Sequence, residues 1–380
     1  MTIMHVTMTP FNHETRLLKQ AEAVISHNET ATCHILALND GDSAEKEVLQ
    51  NRIFVHRLKL KSKGLPRLTL FQLVKIIEFT YLILRYARRH HIQIVTIHAL
   101  VQLPIAFLVK LICGTKIIYD AHELETETTQ LRGIRKRACK IIERVFIKFV
   151  DHVFVASPSI GQWYEDKYKL GDNVTVLMNI HKRHNALEAG QLHKSLNINP
   201  DKHIILYQGA LINGRGIEQL ISSFVEMNDD RFVLVFMGYG SFEPFIVEQA
   251  HKYPNLFHHP AVEQSVLGNY TKSAFCGVCY VKNGSLNDDL CLPNKFFEYL
   301  FAGVPAIVSH SPDMKNILDK YKLGVVIDQL NSQELSTALD EIIKLKDKDF
   351  TTRIAQLNEA YNWDLQEQNI INLYKKLINL

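Results

Sequence analysis

An alternation of strand-like and helix-like segments through both halves constrains the fold of this chain more than any other feature. Short runs rich in β-branched and aromatic residues alternate with longer stretches in which apolar residues recur every three or four positions. The strand candidates are TIMHVTM, ATCHILAL, RIFVHRL, IQIVTIH, TKIIYD and HVFVAS, then HIILYQG, RFVLVFMG, AFCGVCYV, PAIVS and GVVID. Such an alternation predicts an α/β protein with mostly parallel sheets covered by helices, built as two doubly wound units in tandem.

The length of the chain also favours two domains. With 380 residues it exceeds the size at which one core usually stops growing. We place the first domain at residues 1–180 and the second at residues 186–361, joined by the polar segment VLMNIHKRHN. Residues 362–380 form an amphipathic pattern, which predicts a final helix that packs back on the first domain.

The two halves differ in charge. Residues 1–185 hold 26 Lys and Arg against 17 Asp and Glu, a net of +9, whereas residues 186–380 hold 17 against 23, a net of −6. Part of the basic excess lies in RGIRKRACKIIERVFIKF, a candidate helix whose apolar residues share one side: Ile134, Ala138, Ile141, Ile142, Val145 and Phe149. Two interpretations stay open. Either this side faces the core beneath a solvated basic face, or the helix contacts an anionic bilayer surface.

Several classes of protein are disfavoured. The longest apolar stretches are too short or too interrupted to span a bilayer, and MTIMHVTMTPFNHETR lacks the basic start of a signal peptide. The six cysteines mostly lie in apolar runs, as reduced buried thiols do. We therefore expect a cytoplasmic protein. Nucleic-acid binding is not expected, because no basic stripe is interleaved with aromatic residues.

The segment LPNKFFEYLFAGVPAIVS is the most informative local pattern. A helix that opens at Asn294 places Lys295 on its first position and Glu298 three residues later, near a positive helix end. The helix closes at Gly303 and leads into the apolar run AIVS. This arrangement can hold an anion, although Lys295 and Glu298 can equally form an ordinary surface pair.

The phosphate-binding loops that are best known from sequence are missing. There is neither a G-x-G-x-x-G fingerprint nor a Walker A loop. Gly238 and Gly240 follow the strand candidate RFVLVFM, and glycines at that place allow close backbone approach to a flat ligand.

Three segments of the second half fall at strand-to-helix crossings: YQGALINGRGIEQL, VFMGYG and CLPNKFFEYLFAGVPAIVS. In this order they resemble the retaining glycosyltransferases of family four, whose GT-B arrangement has two Rossmann-like units facing across a cleft. The resemblance extends to HETRLLKQAEAVISHN, IIYDAHELE and the closing YNWDLQEQ helix, so that it covers nearly the whole chain.

The resemblance implies roles for single residues. Glu298 matches the glutamate that accepts hydrogen bonds from the ribose diol of the donor nucleotide. Arg215 matches the basic residue that contacts the donor diphosphate, and Lys295 adds a second cation there. His122 matches a histidine near the transferred sugar, which makes His122, Arg215 and Lys295 the catalytic candidates. The donor-binding candidates are Gly209, Arg215, Gly238, Gly240, Asn294, Lys295 and Glu298.

The chain departs from the family pattern in three places. In one of them many relatives have an arginine ahead of the basic phosphate contact, whereas ALING has none, so Arg215 would carry that task with Lys295 alone. The first motif glutamate would fall on Leu290, with Asp288 and Asp289 just before it, so the acidic contact to the sugar is displaced or absent. The usual glycine-rich loop after the first strand is replaced by TPFNHETR, where Asn12, His13 and Arg16 are candidate acceptor contacts.

A metal site is not expected. His122 and Glu123 lack the second histidine that H-E-x-x-H requires, and the CGVC run lies in an apolar strand without a second cysteine pair. The DGD run at Asp40 to Asp42 lies in a polar loop and predicts a turn.

The resemblance implies a retaining glycosyltransferase that needs no metal. It would move a hexose or N-acetylhexosamine from a nucleoside diphosphate, most simply a UDP-sugar, to a glycan or lipid-linked acceptor in cell-surface polysaccharide synthesis. The basic first half suggests a lipid-linked or anionic glycan acceptor, and the basic amphipathic helix leaves contact with the inner face of the plasma membrane open. Two alternatives stay open, a sugar-nucleotide 2-epimerase of the same architecture and a non-catalytic sugar-nucleotide-binding partner.

Overall fold

The chain folds into two compact units. The computed structural model describes residues 1–12, 14–66, 69–180, 188–281 and 284–378. Unit 1 comprises Met1–Met178 and Leu365–Leu380, and unit 2 comprises Asn179–Asp364. His13 and the middle of the proposed join, 181–187, lie outside the described residues.

Unit 1 is built on an eight-stranded sheet in the order β3-β4-β2-β1-β5-β6-β7-β8, parallel except for the pair β3 and β4. Its strands are β1 Thr2–Val6, β2 Thr32–Leu38, β3 Lys46–Leu49, β4 Ile53–Leu58, β5 Ile94–Ile97, β6 Lys116–Ala121, β7 His152–Val155 and β8 Val174–Val176. Its helices are α1 Thr15–Ser26, α2 Thr69–Arg89, α3 Leu103–Cys113, α4 Gly133–Phe146 and α5 Pro158–Tyr168, together with the C-terminal helix described below.

Unit 2 is built on a six-stranded parallel sheet in the order β11-β10-β9-β12-β13-β14. Its strands are β9 His203–Ala210, β10 Phe232–Tyr239, β11 Leu256–Pro260, β12 Cys276–Cys279, β13 Ala306–Ser309 and β14 Gly324–Ile327. Its helices are α6 Gln191–Ser195, α7 Ile217–Met227, α8 Glu243–Lys252, α9 Gln264–Thr271, α10 Leu286–Asp289, α11 Asn294–Phe301, α12 Pro312–Tyr321, α13 Ser332–Leu345 and α14 Phe350–Ala360.

Both sheets follow the doubly wound strand order, so the predicted fold class of two Rossmann-like α/β units is confirmed. In such a sheet the strand order reverses beside the first strand, and ligands bind at the carboxyl ends of the strands next to that point. The reversal lies between β1 and β5 in unit 1 and between β9 and β12 in unit 2.

The last helix, α15 Trp363–Ile378, belongs for nearly all its length to unit 1, as the amphipathic pattern predicts. The hydroxyl oxygens of Tyr374 and Thr96 lie 2.9 Å apart, and Gln366 accepts a hydrogen bond from the backbone N–H of Met178. Among the described helices, none combines the length and the apolar character needed to cross a bilayer.

Candidate functional site

The helix α11 of unit 2 begins one residue earlier than the sequence suggests. Pro293 is its N-cap, with the extended backbone that the proline ring favours, so Asn294 is the first helical residue and Lys295 the second. Asn294 therefore does not cap the helix with its side chain. The free backbone amides and the positive end of the helix still point out of the first turn, where Lys295 lies.

Lys295 is held at the carboxyl end of β9. Its Nζ lies 3.6 Å from the centre of the Tyr207 ring, close enough for a strong cation–π contact. The Tyr207 hydroxyl donates to the carbonyl oxygen of Ala210 at 3.2 Å, which fixes the ring. A half-buried cation is thus oriented before any anion arrives.

Glu298 is oriented by a neutral hydrogen-bond chain. Its Oε2 accepts from Nε2 of Gln208 at 2.7 Å, and Oε1 of Gln208 accepts from the hydroxyl of Thr271 at 2.9 Å. Gln208 and Thr271 are buried, so the carboxylate stands on a rigid polar support. Gln208 was missed by sequence reasoning, because nothing in YQGALING marks its partner ninety residues away.

The packing of α11 on the sheet depends on Gly277 and Tyr299. The Tyr299 hydroxyl accepts from the backbone N–H of Gln208 at 3.0 Å and donates to the carbonyl oxygen of Leu206 at 3.1 Å. A Cβ atom on Gly277 would lie 2.3 Å from the Tyr299 ring, so only glycine fits beneath it. Burial raises the pKa of Tyr299 well above its usual value, which keeps the hydroxyl protonated.

Arg215 is exposed in the loop between β9 and α7, flanked by Gly214 and Gly216, which both have positive φ. Its charge acts on the same place as that of Lys295. Burial raises the pKa of the Cys279 thiol, at the end of β12, to about 11, and the charges of Lys295 and Arg215 oppose this rise. The Glu298 carboxylate has the opposite effect on this pKa, so two cations and one carboxylate all act on the end of β12, beside the point where the strand order of unit 2 reverses.

The three glycines that the sequence proposes for donor binding, Gly209, Gly238 and Gly240, are not glycine for the same structural reason. A Cβ atom on Gly238 would lie 1.9 Å from the carbonyl oxygen of Gly209, and one on Gly240 would lie 2.2 Å from that of Leu211. Both glycines are thus required by the close approach of β9 and β10, whether or not a ligand lies over them. Gly209 has φ +108° and open space around its missing side chain.

Asp288 and Asp289 differ although they are neighbours. Oδ2 of Asp288 accepts from the Ser285 hydroxyl at 2.7 Å, and the backbone N–H of Asp288 donates to that hydroxyl. Asp289 has a buried Oδ1 with no hydrogen-bond partner among the described residues. A buried acceptor without a partner costs free energy. Asp289 rather than Asp288 is therefore the candidate to accept a hydrogen bond from a ligand.

Unit 1 contains a buried ionic network at the carboxyl ends of its strands. Arg16 on α1 donates from Nε and Nη2 to both carboxylate oxygens of Asp120, at 2.6 to 3.2 Å, and from Nη1 to the carbonyl oxygen of Leu177. Gln20 donates to Asp120 at 2.5 Å. Arg16, a candidate acceptor contact from the sequence, is instead buried and occupied by Asp120.

His122 joins this network from the end of β6. Its Nε2 lies 3.0 Å from Oδ2 of Asp120, and Nδ1 of His98 lies 3.2 Å from the same oxygen. Nε2 of His98 lies 2.9 Å from Nδ1 of the fully buried His5. His122 remains partly open, with 42% of its side chain exposed.

Burial and charge set the protonation of these groups. Burial alone would raise the pKa of Asp120, but the Arg16 guanidinium and His122 outweigh it and hold that pKa well below its usual range. Burial lowers the pKa of His98, which Asp120 opposes, and lowers that of His5 still further. At neutral pH the network therefore has an ionised Asp120 beside neutral His98 and His5.

One group in unit 1 has ligand atoms close enough for a metal ion. His98, Asp120 and His122 each offer one such atom, and the three lie within 4.8 Å of one another. Imidazole and carboxylate suit a divalent transition metal. However, Arg16 already compensates the charge of Asp120, so that the group is satisfied by protein contacts. The sequence did not indicate this group, because His98 lies on a different strand end from DAHE.

Comparisons with known proteins identify the family of the chain. The model of Glycosyltransferase Family 4 matches residues 14–180, and that of Glycosyl transferases group 1 matches residues 189–359. A comparison with curated proteins finds no match.

Solved structures of similar fold cover the whole chain. Sucrose-phosphate synthase from Thermosynechococcus elongatus has a TM-score of 0.79 at 15% identity, covering 100% of this chain and 99% of that one. Anabaena Alr3699/HepE in complex with UDP-glucose has a TM-score of 0.73 at 12% identity, covering 99% and 100%. The lipopolysaccharide outer core galactosyltransferase WaaB has a TM-score of 0.70 at 12% identity, again covering 99% and 100%.

Proposed function

From the premise that this chain is a GT-B glycosyltransferase with a Family 4 domain followed by a group 1 domain, we propose the reaction that it catalyses. It transfers a hexose or N-acetylhexosamine from a UDP-sugar, with retention at the anomeric carbon, to a hydroxyl of a glycan or lipid-linked acceptor. The acceptor belongs to the synthesis of a cell-surface polysaccharide. A cytoplasmic location at the inner face of the plasma membrane is part of the same proposal.

The two cations of unit 2 carry the proposal. Lys295 lies in the first turn of α11, and its charge and that of Arg215 both act at the end of β12. A diphosphate placed there meets two cations and the amides of a helix start, the combination that binds phosphate in many proteins. The fork of the Arg215 guanidinium can contact two phosphate oxygens at once.

The nucleoside would be held by Glu298. Its carboxylate accepts from Gln208, which fixes its direction, and a carboxylate can accept from two neighbouring ribose hydroxyls. The solved structures support uridine as the base, since Anabaena Alr3699/HepE is described in complex with UDP and with UDP-glucose.

Catalysis would be mainly electrostatic. As the glycosidic bond of the donor breaks, positive charge grows on the sugar and negative charge on the departing diphosphate. Arg215, Lys295 and the helix amides stabilise that negative charge more in the transition state than in the ground state. The departing phosphate can itself take the proton of the acceptor hydroxyl on the same face, which gives retention without a protein nucleophile.

His122 would contact the transferred sugar. Asp120 accepts from Nε2 of His122, which fixes the tautomer and leaves Nδ1 for a sugar hydroxyl. His98 and Asp120 are positioning residues in this scheme, since both act through His122. Asp289 would accept from another sugar hydroxyl, because its buried Oδ1 has no partner among the described residues.

No metal ion takes part in this mechanism. The two cations of unit 2 supply the charge that a divalent ion would otherwise supply at the diphosphate. If His98, Asp120 and His122 held an essential ion, treatment with a strong chelator would abolish transfer, whereas we expect unchanged rates.

A panel of nucleotides tests the donor. We expect UDP to raise the melting temperature more than GDP or ADP at equal concentration, because only a bound nucleotide stabilises the folded state. Mass spectrometry of reactions with UDP-hexoses and lipid-linked acceptors then identifies the product, and nuclear magnetic resonance of its anomeric proton tests retention.

Three results would overturn the proposal. No stabilisation by any nucleoside diphosphate would remove the donor site. Isomerisation of the donor sugar without an acceptor would identify a 2-epimerase instead. Donor that is bound but never consumed, with every acceptor tried, would identify a non-catalytic binding partner.

A further inference from the structure

The amphipathic helix α4 is rotated about its axis in an unusual way, because most surface helices bury their apolar side. Its apolar stripe faces solvent: Ile134 is 84% exposed, Ile141 63% and Val145 42%. Ala138 lies on the same exposed side, four residues after Ile134 and three before Ile141. The interpretation that this side faces the core is therefore wrong for these four residues, whereas Ile142 and Phe149 are half-buried.

The most deeply buried residue of α4 is an acid. Glu143 is fully buried and accepts hydrogen bonds from the hydroxyls of Tyr164 and Tyr168, at 3.1 and 2.5 Å. Lys136 and Lys140 form ion pairs with Glu127 at 3.0 and 2.7 Å. These contacts fix the rotation of the helix and keep its apolar stripe outward.

The helix α2 shows the same arrangement. Leu73, Ile77 and Tyr81 follow one another at intervals of four residues and are 52%, 67% and 59% exposed. Arg85, four residues further, and Arg88 extend the stripe with exposed positive charge. A soluble helix normally places its charged residues outward along its whole length, so a long exposed apolar stripe that ends in arginines is unusual.

The helix α3 contacts both α2 and α4. It adds three exposed apolar residues, Leu108, Leu111 and Ile112, of which Leu111 is 70% exposed. The three helices make crossovers that move in the same direction across the sheet, and right-handed crossovers of that kind lie on one side. We call the exposed side chains of α2, α3 and α4 the basic-apolar face.

This face carries a large positive charge. The three helices hold ten Lys and Arg and two Asp and Glu, a net of +8. Both acids are occupied, because Glu143 is buried and Glu78 accepts from the backbone of Lys61 and from Ser62. Three of the cations are paired with acids outside these helices, Lys110 with Asp151 and both Lys136 and Lys140 with Glu127. The exposed surface therefore combines apolar side chains with an excess of cations.

We propose that the basic-apolar face docks unit 1 on an anionic lipid bilayer, with the apolar side chains among the headgroups and the basic ones against the phosphates. Exposed apolar residues ringed by Lys and Arg are the composition that lies in a membrane interface. A second copy of the chain is a poorer occupant, since a symmetric contact would place one basic surface against another.

This inference rests on the proposed function and deepens it, because it names the surface that holds the chain at the membrane. Docking itself needs neither donor nor acceptor. It would concentrate the enzyme where lipid-linked acceptors are found. Failure of either idea can be seen separately, since UDP binding reports on unit 2 and lipid binding on unit 1.

Flotation with lipid vesicles tests the docking. The full chain should float with vesicles of phosphatidylcholine and phosphatidylglycerol, float weakly or not at all with phosphatidylcholine alone, and lose binding as salt is raised. The variants Ile77→Glu and Ile141→Glu each place an acid in the middle of the face and should weaken binding roughly tenfold or more.

Ile343→Glu is the matched control. Ile343 is an exposed isoleucine, 44% accessible, on α13 of unit 2, and its substitution adds the same charge away from the face. We expect this control to bind anionic vesicles like the original chain. Because all three isoleucines are exposed, the melting temperatures of the variants should agree, which separates lost docking from lost folding.

Three outcomes would overturn the inference. The chain could fail to bind either kind of vesicle, or the two variants on unit 1 could bind as well as the control. The third is self-association in sedimentation experiments that Ile77→Glu and Ile141→Glu abolish without any lipid binding, which would make the face a contact between copies.

Discussion

The two units share a strand order but hold their polar groups in opposite ways. Unit 1 buries charge: Asp120 is wholly inaccessible and its compensating partner Arg16 is 7% exposed. Unit 2 leaves Arg215 exposed and Lys295 half-buried over the ring of Tyr207. The buried groups nearby, such as Gln208 and Tyr299, are neutral. A buried ion that loses its partner is far more costly than an exposed one.

This difference separates stability from binding. In unit 1 the groups near His122 are part of the interior, so a change there alters folding and function together. In unit 2 the cations stand on a frame that is complete without them, so their loss should affect the ligand alone. The site of unit 1 is thus part of what stabilises the fold, whereas the cations of unit 2 can be replaced without loss of stability.

The largest expected effect tests the buried pair. Arg16→Met leaves the Asp120 carboxylate buried without its cation, and we expect a loss of about 3–5 kcal/mol in the free energy of unfolding of unit 1. Urea unfolding in a Trp363→Phe background would measure it, because Trp163 on α5 is then the one remaining tryptophan.

Arg231→Met is the control for that experiment. Arg231 also pairs with an aspartate, Asp229, but its side chain is 52% exposed. We expect the unfolding midpoint reported by Trp163 to stay the same. If Arg16→Met also left this midpoint unchanged, the contrast between the two units would be wrong.

The second prediction concerns the cations of unit 2. Lys295→Met and Arg215→Ala should each lower kcat by about 10², or about 2.7 kcal/mol in activation free energy, because each removes charge stabilisation from the leaving diphosphate. Steady-state rates with the identified donor measure it, and Lys344→Met, an exposed lysine on α13, serves as control.

Stability should not follow activity in these variants. The melting temperatures of Lys295→Met and Arg215→Ala should match that of the original chain in the absence of nucleotide. Full activity in both variants, or a fall of the melting temperature that accounts for the lost activity, would contradict the replaceable character of this site.

The third prediction uses pH to weaken unit 1. Burial lowers the pKa of His34 and of His152 from 6.5 to about 4. Each ring is neutral when folded and binds a proton more readily when unfolded. Its stability contribution is therefore complete above pH 6.5 and is lost as the pH falls towards 4. We expect about 1–2 kcal/mol for each, less than the full shift implies, because only part of the pKa difference is titrated between about pH 7 and about pH 5.

Substitution makes the pH effect specific. His34→Gln and His152→Gln remove the titrating groups but keep a polar side chain, so the fall of Trp163-reported stability between about pH 7 and about pH 5 should become shallower. His251→Gln, at an exposed position in unit 2, should leave the slope unchanged. Identical slopes in all three would contradict the assignment.

The smallest expected effect distinguishes the two neighbouring aspartates. Asp289→Asn should lower kcat/KM about tenfold, roughly 1.4 kcal/mol, because an amide is a weaker acceptor for a sugar hydroxyl than a carboxylate. Asp288→Asn should change it little, since Asp288 already bonds to Ser285. The reverse order would transfer the sugar contact to Asp288.

The sequence predicted the frame of both units well, since apolar runs and their spacing indicate buried parallel strands. It missed β3 and β8, at the edges of the sheet of unit 1, because KEVL is exposed and VTV is only three residues long. It also missed β11, whose LFHHP does not alternate clearly.

The site could be predicted only where the chemistry is local. Lys295 and Glu298 share a first helical turn and can be found from their spacing, and His122 follows its strand directly. Partners that meet through the fold, such as Glu298 with Gln208, carry no local signal. The sequence left the direction of the α4 stripe open for the same reason, since the tyrosines that bond to the inward Glu143 lie on α5.

The hydrogen-bond partners of Arg16 are far from it in sequence, which has a consequence for folding during synthesis. Its guanidinium joins a carboxylate 104 residues later and a carbonyl oxygen 161 residues later. A nascent polypeptide that has not yet emerged beyond Leu177 cannot complete this junction. We therefore expect unit 1 to fold late during synthesis and in one cooperative step. Fragments that end before β8 should need chaperones.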